Sequence, residues 1–472
     1  MREATTFYEP LTARDAWFIY AERPDTPLDI GTVYVFEGGS RVPGGRGAAG
    51  IEETIGERLH LFPRYRQRLR RLPLNLGHPV WVDDPHFDLG FHVRHEVLPE
   101  PVTGQRARAA VARILSRPLA RNRPLWEMVV LHGLSGGRLM IVNRVHHAMV
   151  DGIAHRDIMT TLFDDSPEGR PIQPPSQPWR PRPAPNDLLV VWHQLASLLV
   201  GTGGRSPGPL ASLGPWLLSW RGFFQLGRSA LTPRPRLFFN RRLGPRRTGR
   251  GLRVPLAEFR ALKQRVGCTI NDAVLALVAE GLYRWLSARG ERVPDRIRVF
   301  VPVSLRLPGA GEGPGEAAGN RLSGMVFELP TGAMSIEERL RQVNHTTGDL
   351  KRSKQALAAD RLAGLADWAP PTLLVLAGRL MSTPNAGANM NVTNVPGPQQ
   401  PLYTGGAELL EIWPFAPLYP SMALGVAIVS YNGGVYFGLG ADPAAVDDIE
   451  AFASHLRAAA DACLDLVRGV AG

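Results

Sequence analysis

The feature that most limits what this chain can fold into is a break short of its middle. From Pro167 to Pro185 prolines recur every few residues. Proline has no backbone N–H to give to a helix or a sheet interior, so the stretch reads as a stiff connector. At 472 residues the chain is also too long for one ordinary core. Two α/β units joined by a linker are therefore expected, with residues 1–165 as the first unit, 166–251 as the connector and 252–472 as the second. The hydrophobic share of 44% is normal for a globular protein and excludes wholesale disorder.

In the first unit, apolar patterning predicts strands over Thr32–Phe36, Trp126–Leu131 and Arg138–Val145, and helices over Ile51–Leu61 and Gly104–Leu115. In the second unit, which opens near Leu252, Thr269-Ile270-Asn271-Asp272 leads into a helix from Ala273 to Trp285. Strands are expected over Ile297–Val303, Gly324–Glu328 and Asn389–Val395, with a glycine-rich loop at Gly309–Gly319 and a helix over Ser335–Ala359. An Asn432-Gly433 hairpin turn between Ala427–Tyr431 and Val435–Leu439, then a helix over Asp447–Val467, completes the unit. Inside the connector, Leu188, Val191, Trp192, Leu195, Leu198 and Leu199 share one helical face, and Trp216, Leu217, Trp220, Phe223 and Phe224 share another. These faces are read as buried core, the alternative being a membrane-surface element.

The chemistry concentrates in His146-His147-Ala148-Met149-Val150-Asp151-Gly152. The two histidines stand where an apolar strand ends, which fixes an imidazole and exposes it to a cleft. Transfer of an acyl group to an alcohol needs a base for the hydroxyl proton, and a histidine with a free pKa of about 6.5 is mostly neutral near pH 7. Asp151 orients the loop or simply caps the next helix. His147 and Asp151 as metal ligands lack a neighbouring Cys/His/Glu set to complete a coordination sphere, so no metal is expected. Gly133-Leu134-Ser135-Gly136-Gly137 matches the G-x-S-x-G pattern of serine hydrolases, but a strand follows it where a helix is required, and a hairpin turn is the better reading. Neither cysteine lies in a comparable motif, which favours direct transfer over a covalent acyl-enzyme. Thr269 and Asp272 have capping-box spacing. Asn271 either caps the same helix or helps hold an oxyanion, and Ser304 is either a strand-end residue or a substrate contact.

The formal charge is +11, and the only lysines are Lys263, Lys351 and Lys354. The arginine excess reflects coding composition or attraction to anionic partners. The basic clusters Arg64–Arg71 and Arg241–Arg253 come with no nucleic-acid-binding motif, so no nucleic acid is expected as a partner. Cys268 and Cys463 cannot build a disulfide framework of the secreted kind. The N-terminus lacks an apolar signal region, and no apolar run reaches the roughly 20 residues of a membrane span. The expectation is a cytoplasmic enzyme, with peripheral contact at the inner face of a membrane or at lipid inclusions.

The heptapeptide resembles the HHxxxDG signature of the chloramphenicol acetyltransferase-like superfamily. Further segments resemble one branch of it, the bacterial wax ester synthase/diacylglycerol acyltransferase family: Leu11-Thr12-Ala13-Arg14-Asp15-Ala16-Trp17-Phe18, Pro124-Leu125-Trp126, Asn271-Asp272, Val301-Pro302-Val303-Ser304-Leu305-Arg306, Gly319-Asn320, Asn394-Val395-Pro396-Gly397-Pro398 and Tyr431–Leu439. They keep that family's order from about residue 10 to 445. Two places depart from it: Leu28-Asp29 where a methionine and a histidine are usual, and Thr393 where a serine is common. The resemblance implies an α/β (α+β) fold of two acetyltransferase-like domains of mixed sheet plus helices, with a tunnel at their interface. It implies His147 as the general base, His146 and Asp151 as structural or orienting residues, and Gly152 as backbone room beside the reacting groups. Asn271, Asp272, Ser304, Arg306 and Asn394 are implied as supporting residues, with Arg306 as a partner for Asp151. Acyl-CoA is implied as co-substrate, with no further cofactor, and diacylglycerol or a long-chain alcohol as acceptor. The alternatives are a relative using a carrier-bound acyl group or an amine, and a non-catalytic lipid-binding protein.

Overall fold

The protein is described by a computed structural model covering residues 7–39, 41, 45–99, 102–149, 159–200, 234–304, 322–352 and 387–468. Its first half holds β1 (Glu9–Pro10), α1 (Ala13–Ala21), β2 (Asp29–Phe36), α2 (Ile51–Arg58), β3 (Gln67–Arg70), β4 (Val80–Asp83), β5 (Val93–Val97), α3 (Gly104–Ser116), β6 (Trp126–His132) and β7 (Leu139–His146). After α4 (Asp187–Val200) come β8 (Thr248–Pro255), α5 (Leu256–Val266), α6 (Ile270–Ala288), β9 (Arg296–Ser304), β10 (Leu322–Pro330), α7 (Ile336–Arg352), β11 (Met390–Pro396), β12 (Tyr403–Thr404), β13 (Ala407–Phe415), β14 (Leu424–Tyr431), β15 (Gly434–Ala441) and α8 (Ile449–Arg468).

Two six-stranded mixed sheets dominate, in the orders β12-β13-β2-β7-β6-β5 and β10-β9-β11-β14-β15-β8. The pairs β5/β6, β11/β14 and β11/β9 are parallel and the rest antiparallel. This is the α/β class expected, with mixed sheets and helices. The chain crosses between the sheets. Strands β12 and β13, from the 252–472 stretch, add to the sheet built by the first half, through pairs such as Trp413 with Val33.

Local rules account for most elements. Thr269 closes a capping box on α6, its hydroxyl accepting from Asp272 N–H while Asp272 accepts from Thr269 N–H. Asn432 and Gly433 take φ values of 40° and 75°, the conformation a two-residue hairpin needs. Gly133, Gly136 and Gly137 all have positive φ in the turn between β6 and β7, so the G-x-S-x-G segment is a hairpin and no nucleophile elbow. No single helix among the described residues is long and apolar enough to cross a membrane. A bent pair, α5 with α6, passes only when taken together, with a 102° bend, and much of it lies in the core of the second sheet.

One expectation is overturned. The connector helix forms as α4, with Val190 buried and Val191 packed beside it, but Leu188 and Trp192 are exposed. The helix presents Val190, Val191 and Gln194 to the β3–β4 hairpin, so Leu188 and Trp192, read as core, look outward, while the side chains of Leu195, Leu198 and Leu199 lie outside those described. Residues 216–224, the glycine-rich loop and the end of the 335–359 helix lie outside the described residues.

Candidate active site

Strand β7 is apolar up to Val145 except for Asn143 and Arg144, and β2 pairs with it along its whole length, Asp29 opposite His146. The strand then ends in a single turn, His147–Met149, with His147 N–H bonded to Leu28 O at 3.0 Å. That bond carries the backbone restraint of the sheet one residue past its edge. The imidazole of His147 is half-buried and lies flat on Phe18, ring centroids 3.9 Å apart and planes 12° from parallel. Phe18 comes from α1, whose start is capped by the Thr12 hydroxyl accepting from Asp15 N–H.

From this stack a row of half-buried aromatic rings runs from one half to the other. Phe18 meets Trp17 edge-on at 5.2 Å, Trp17 faces Tyr419 at 6.4 Å, and Tyr419 meets Phe300 of β9 at 5.6 Å. His147 is therefore not sealed in either core. It stands at the join between the halves, beside an apolar wall. Burial pushes the Tyr419 phenol up, which keeps it protonated.

His146, by contrast, is fully buried. Its Nδ1 accepts from Ala148 N–H at 3.1 Å, which leaves the proton on Nε2, and Nε2 lies 3.5 Å from Glu22 Oε1. That separation is at the outer edge of a hydrogen bond. Burial pushes the Glu22 carboxyl up, but the approach of His146, the Arg121 guanidinium and Leu28 N–H together outweigh it and hold it below the usual carboxylate range. Arg144, also fully buried, pairs with Asp29 at 2.7 Å and Glu127 at 2.6 Å. Three segments are thereby tied beneath His147: the end of α1 through Glu22, the start of β2 through Asp29, and β7 through Arg144.

Oxygen and nitrogen atoms of Glu22, Asp29 and His146 lie within 4.8 Å of one another, as in a metal-ligand set. Both carboxylates already face guanidinium groups, and Nδ1 is taken by Ala148 N–H. A cation held there through Nε2 would have to displace the buried Asp29–Arg144 pair and the partly exposed Glu22–Arg121 pair, which opposes its binding.

The other expected residues are distributed as follows. Asn394 Nδ2 donates to Asn271 Oδ1 at 3.2 Å, which brings those two together across β11 and α6. Asp272 is consumed by the cap and by the Thr347 hydroxyl, which donates to it at 2.7 Å. Ser304 ends β9, paired with Leu322. Asp151, Gly152 and Arg306 lie outside the described residues, and with them the pairing of Asp151 with Arg306. Sequence reasoning passed over Glu22, Arg144 and Tyr419. Arg144 did leave a signal: a charge inside an otherwise apolar strand must find a partner.

Comparison with known proteins agrees with this architecture. Residues 11–274 match the model of the wax ester synthase/diacylglycerol acyltransferase catalytic domain, and residues 318–462 that of the WS/DGAT C-terminal domain. The chain belongs to this family. It is an acyltransferase of the diacylglycerol O-acyltransferase/wax ester synthase type. A Mycobacterium tuberculosis protein described as a probable diacylglycerol O-acyltransferase, tgs1, is 32% identical over 447 residues, covering 93% of this chain and 92% of its own. A Mycobacterium bovis relative of similar description matches to the same extent. Among solved structures, the wax ester synthase/diacylglycerol acyltransferase of Marinobacter aquaeolei superposes with a TM-score of 0.67 at 24% identity, over 98% of this chain and 100% of that one. The first condensation domain of the calcium-dependent antibiotic synthetase superposes at 0.61 with 17% identity, over 97% of each chain. The two-domain acetyltransferase-like fold is thus the fold of this chain.

Proposed function

We propose that this acyltransferase moves a long-chain acyl group from acyl-CoA to the hydroxyl of diacylglycerol or of a long-chain alcohol, with His147 as general base. One observation supports this above the others. His147 leaves the strand end half-exposed, braced by Leu28 O and Phe18, beside an aromatic wall shared by both halves. A ring nitrogen of His147 takes the hydroxyl proton as the alcohol oxygen attacks the thioester carbonyl. The C–O bond forms, the C–S bond breaks, and the proton passes to the departing thiolate as free CoA. No covalent acyl-enzyme and no cofactor beyond acyl-CoA enter this scheme. His146, which is buried, and Asp151 are positioning groups, and Asn271 with Asn394 supports the substrate from the second half. The reading carries with it a cytoplasmic site of action on lipid.

The test is release of thiol from palmitoyl-CoA offered diacylglycerol, hexadecanol or water, beside His147→Ala. The expected result is release with a lipid alcohol and a rate loss on the order of 100-fold or more in the variant. Undiminished turnover by a folded His147→Ala protein refutes the base. Release only from a carrier-bound thioester, or only to an amine, refutes the substrate assignment.

A further inference from the structure

Helix α4 buries Val190 yet leaves Leu188 and Trp192 78% and 68% exposed. Residues 188 and 192 share a face roughly opposite Val190 and Gln194. Gln194 pins the inner face: its side-chain oxygen accepts from His78 N–H at 2.8 Å, and its amide donates to His78 O at 3.0 Å. Asp187 pairs with Arg70 at 2.7 Å. The outward aim of Leu188 and Trp192 is thus a fixed feature of the fold.

The same anchorage holds a second apolar projection. The loop from β3 to β4 carries Leu74 and Leu76, 87% and 53% exposed. Leu74 and Asn75 both have φ of 53°, a left-handed conformation that disfavours leucine. A strained loop that lifts two leucines into water gains no stability by doing so, and such strain marks functional segments. Arg71, at the foot of the loop, is exposed, and Arg68 on β3 is half-buried.

We propose that the Leu74–Leu76 loop and the Leu188/Trp192 face of α4 dock this protein on an anionic lipid bilayer. Leucine and tryptophan enter the interfacial region while arginines meet lipid phosphates. The position suits a lipid substrate. The Tyr20 hydroxyl lies 3.3 Å from His78 Nδ1, and Tyr20 is two residues from Phe18, on which His147 lies. Helix α1 thus links this face to the ring on which His147 lies. The proposal extends the acyl-transfer reading by naming where the lipid comes from. Its test reads binding rather than turnover, so either can fail alone.

The experiment is flotation of the full chain with phosphatidylcholine vesicles, with and without phosphatidylglycerol. Wild type is expected to float with the anionic vesicles and to be released as salt is raised. L74S/L76S/L188S/W192S is expected to bind about tenfold less or weaker still, with an unchanged melting temperature. Arg71→Glu is expected to weaken binding only where phosphatidylglycerol is present. If the quadruple variant misfolds, L74S/L76S and L188S/W192S are measured separately. Failure of wild type to float, or equal binding by the folded variants, overturns the proposal. So does a wild-type dimer that the variants convert to monomer while vesicle binding persists, since the patch is then a contact between copies.

Discussion

His146 and His147 are chain neighbours with opposite surroundings. A backbone bond to Leu28 and a flat ring contact with Phe18 help to hold His147. Phe18→Ala leaves the bond to Leu28 and removes the ring. We expect kcat to fall roughly 10- to 100-fold, because a base that wanders by an ångström loses its alignment, while thiol release still responds to a lipid alcohol. An unchanged kcat would show that the Phe18 ring is not needed to position the imidazole. The pair was legible in the sequence because a strand followed by two histidines and a turn is a local pattern. Glu22, Asp29 and Arg144 were not, because they converge from three separate segments and no local spacing links them. The Leu28-Asp29 departure has its physical reason here, since Asp29 is the buried counter-ion of Arg144. Other histidines shape the pH dependence of stability: burial pushes His78, His92 and His132 all down, and His92 is the one stacked in the core of the first sheet. Its Nδ1 donates to Trp126 O at 2.8 Å, and its ring stacks on Trp126. A folded pKa below the ordinary 6.5 means that the unfolded chain binds the proton more readily. The stability His92 gives is thus full above pH 6.5 and lost as pH falls below it. The urea midpoint should drop between pH 7 and pH 5. His92→Gln should lose about 1 kcal/mol at pH 7 and flatten that slope, and an equally steep slope in the variant would place the titration elsewhere.

At the scale of elements, the two sheets meet through close backbone approach. A Cβ on Gly438 of β15 would lie 1.5 Å from Pro414 O of β13, one on Gly251 of β8 would lie 2.5 Å from Trp413, and one on Gly249 would lie 2.5 Å from Phe415. Glycine at Gly438 is therefore required by packing, since the obstacle is backbone and cannot swing aside. Gly438→Ala should cost about 1–3 kcal/mol by forcing β13 away from β15, read as a lower urea midpoint at unchanged m-value. A neutral substitution would mean that the sheets separate without strain. Strand β13 escaped sequence reading for a physical reason: its register shifts between Leu409 and Glu411, which breaks the period-two alternation that announces a strand. The β14–β15 hairpin was legible because Asn432-Gly433 supplies both positive φ values at the place the turn needs them. Helix α4 was half legible. Its period was plain, but which face packs depends on Gln194 finding His78, a contact 116 residues away in sequence.

For the whole molecule, the crossover of β12 and β13 makes the halves interdependent. Residues 32–36 of β2 are all buried, and β13 covers its outer edge. The core around Tyr34, Phe36 and Trp126 also takes in Leu409 and Ile412 from β13, and Val429, Tyr431 and Tyr436 from the second sheet. A linker-divided sequence suggested two units, but hydrophobic patterning reports which residues are buried, not which chain segment buries them. A chain truncated after Val200 would keep β2, β7, β6 and β5 yet expose a long apolar edge strand and an incomplete core. Such an edge recruits other chains. We expect that fragment to aggregate or to remain loosely packed, without the fixed near-ultraviolet signature of Trp126 among Tyr65 and His92. The intact protein should instead unfold in one transition, with Trp126 fluorescence and α6 helicity lost at the same denaturant concentration. A soluble, monomeric and rigid fragment would mean that β13 decorates the first sheet rather than completing it. The join beside His147 would then be a contact between two independent domains, able to open without unfolding either one.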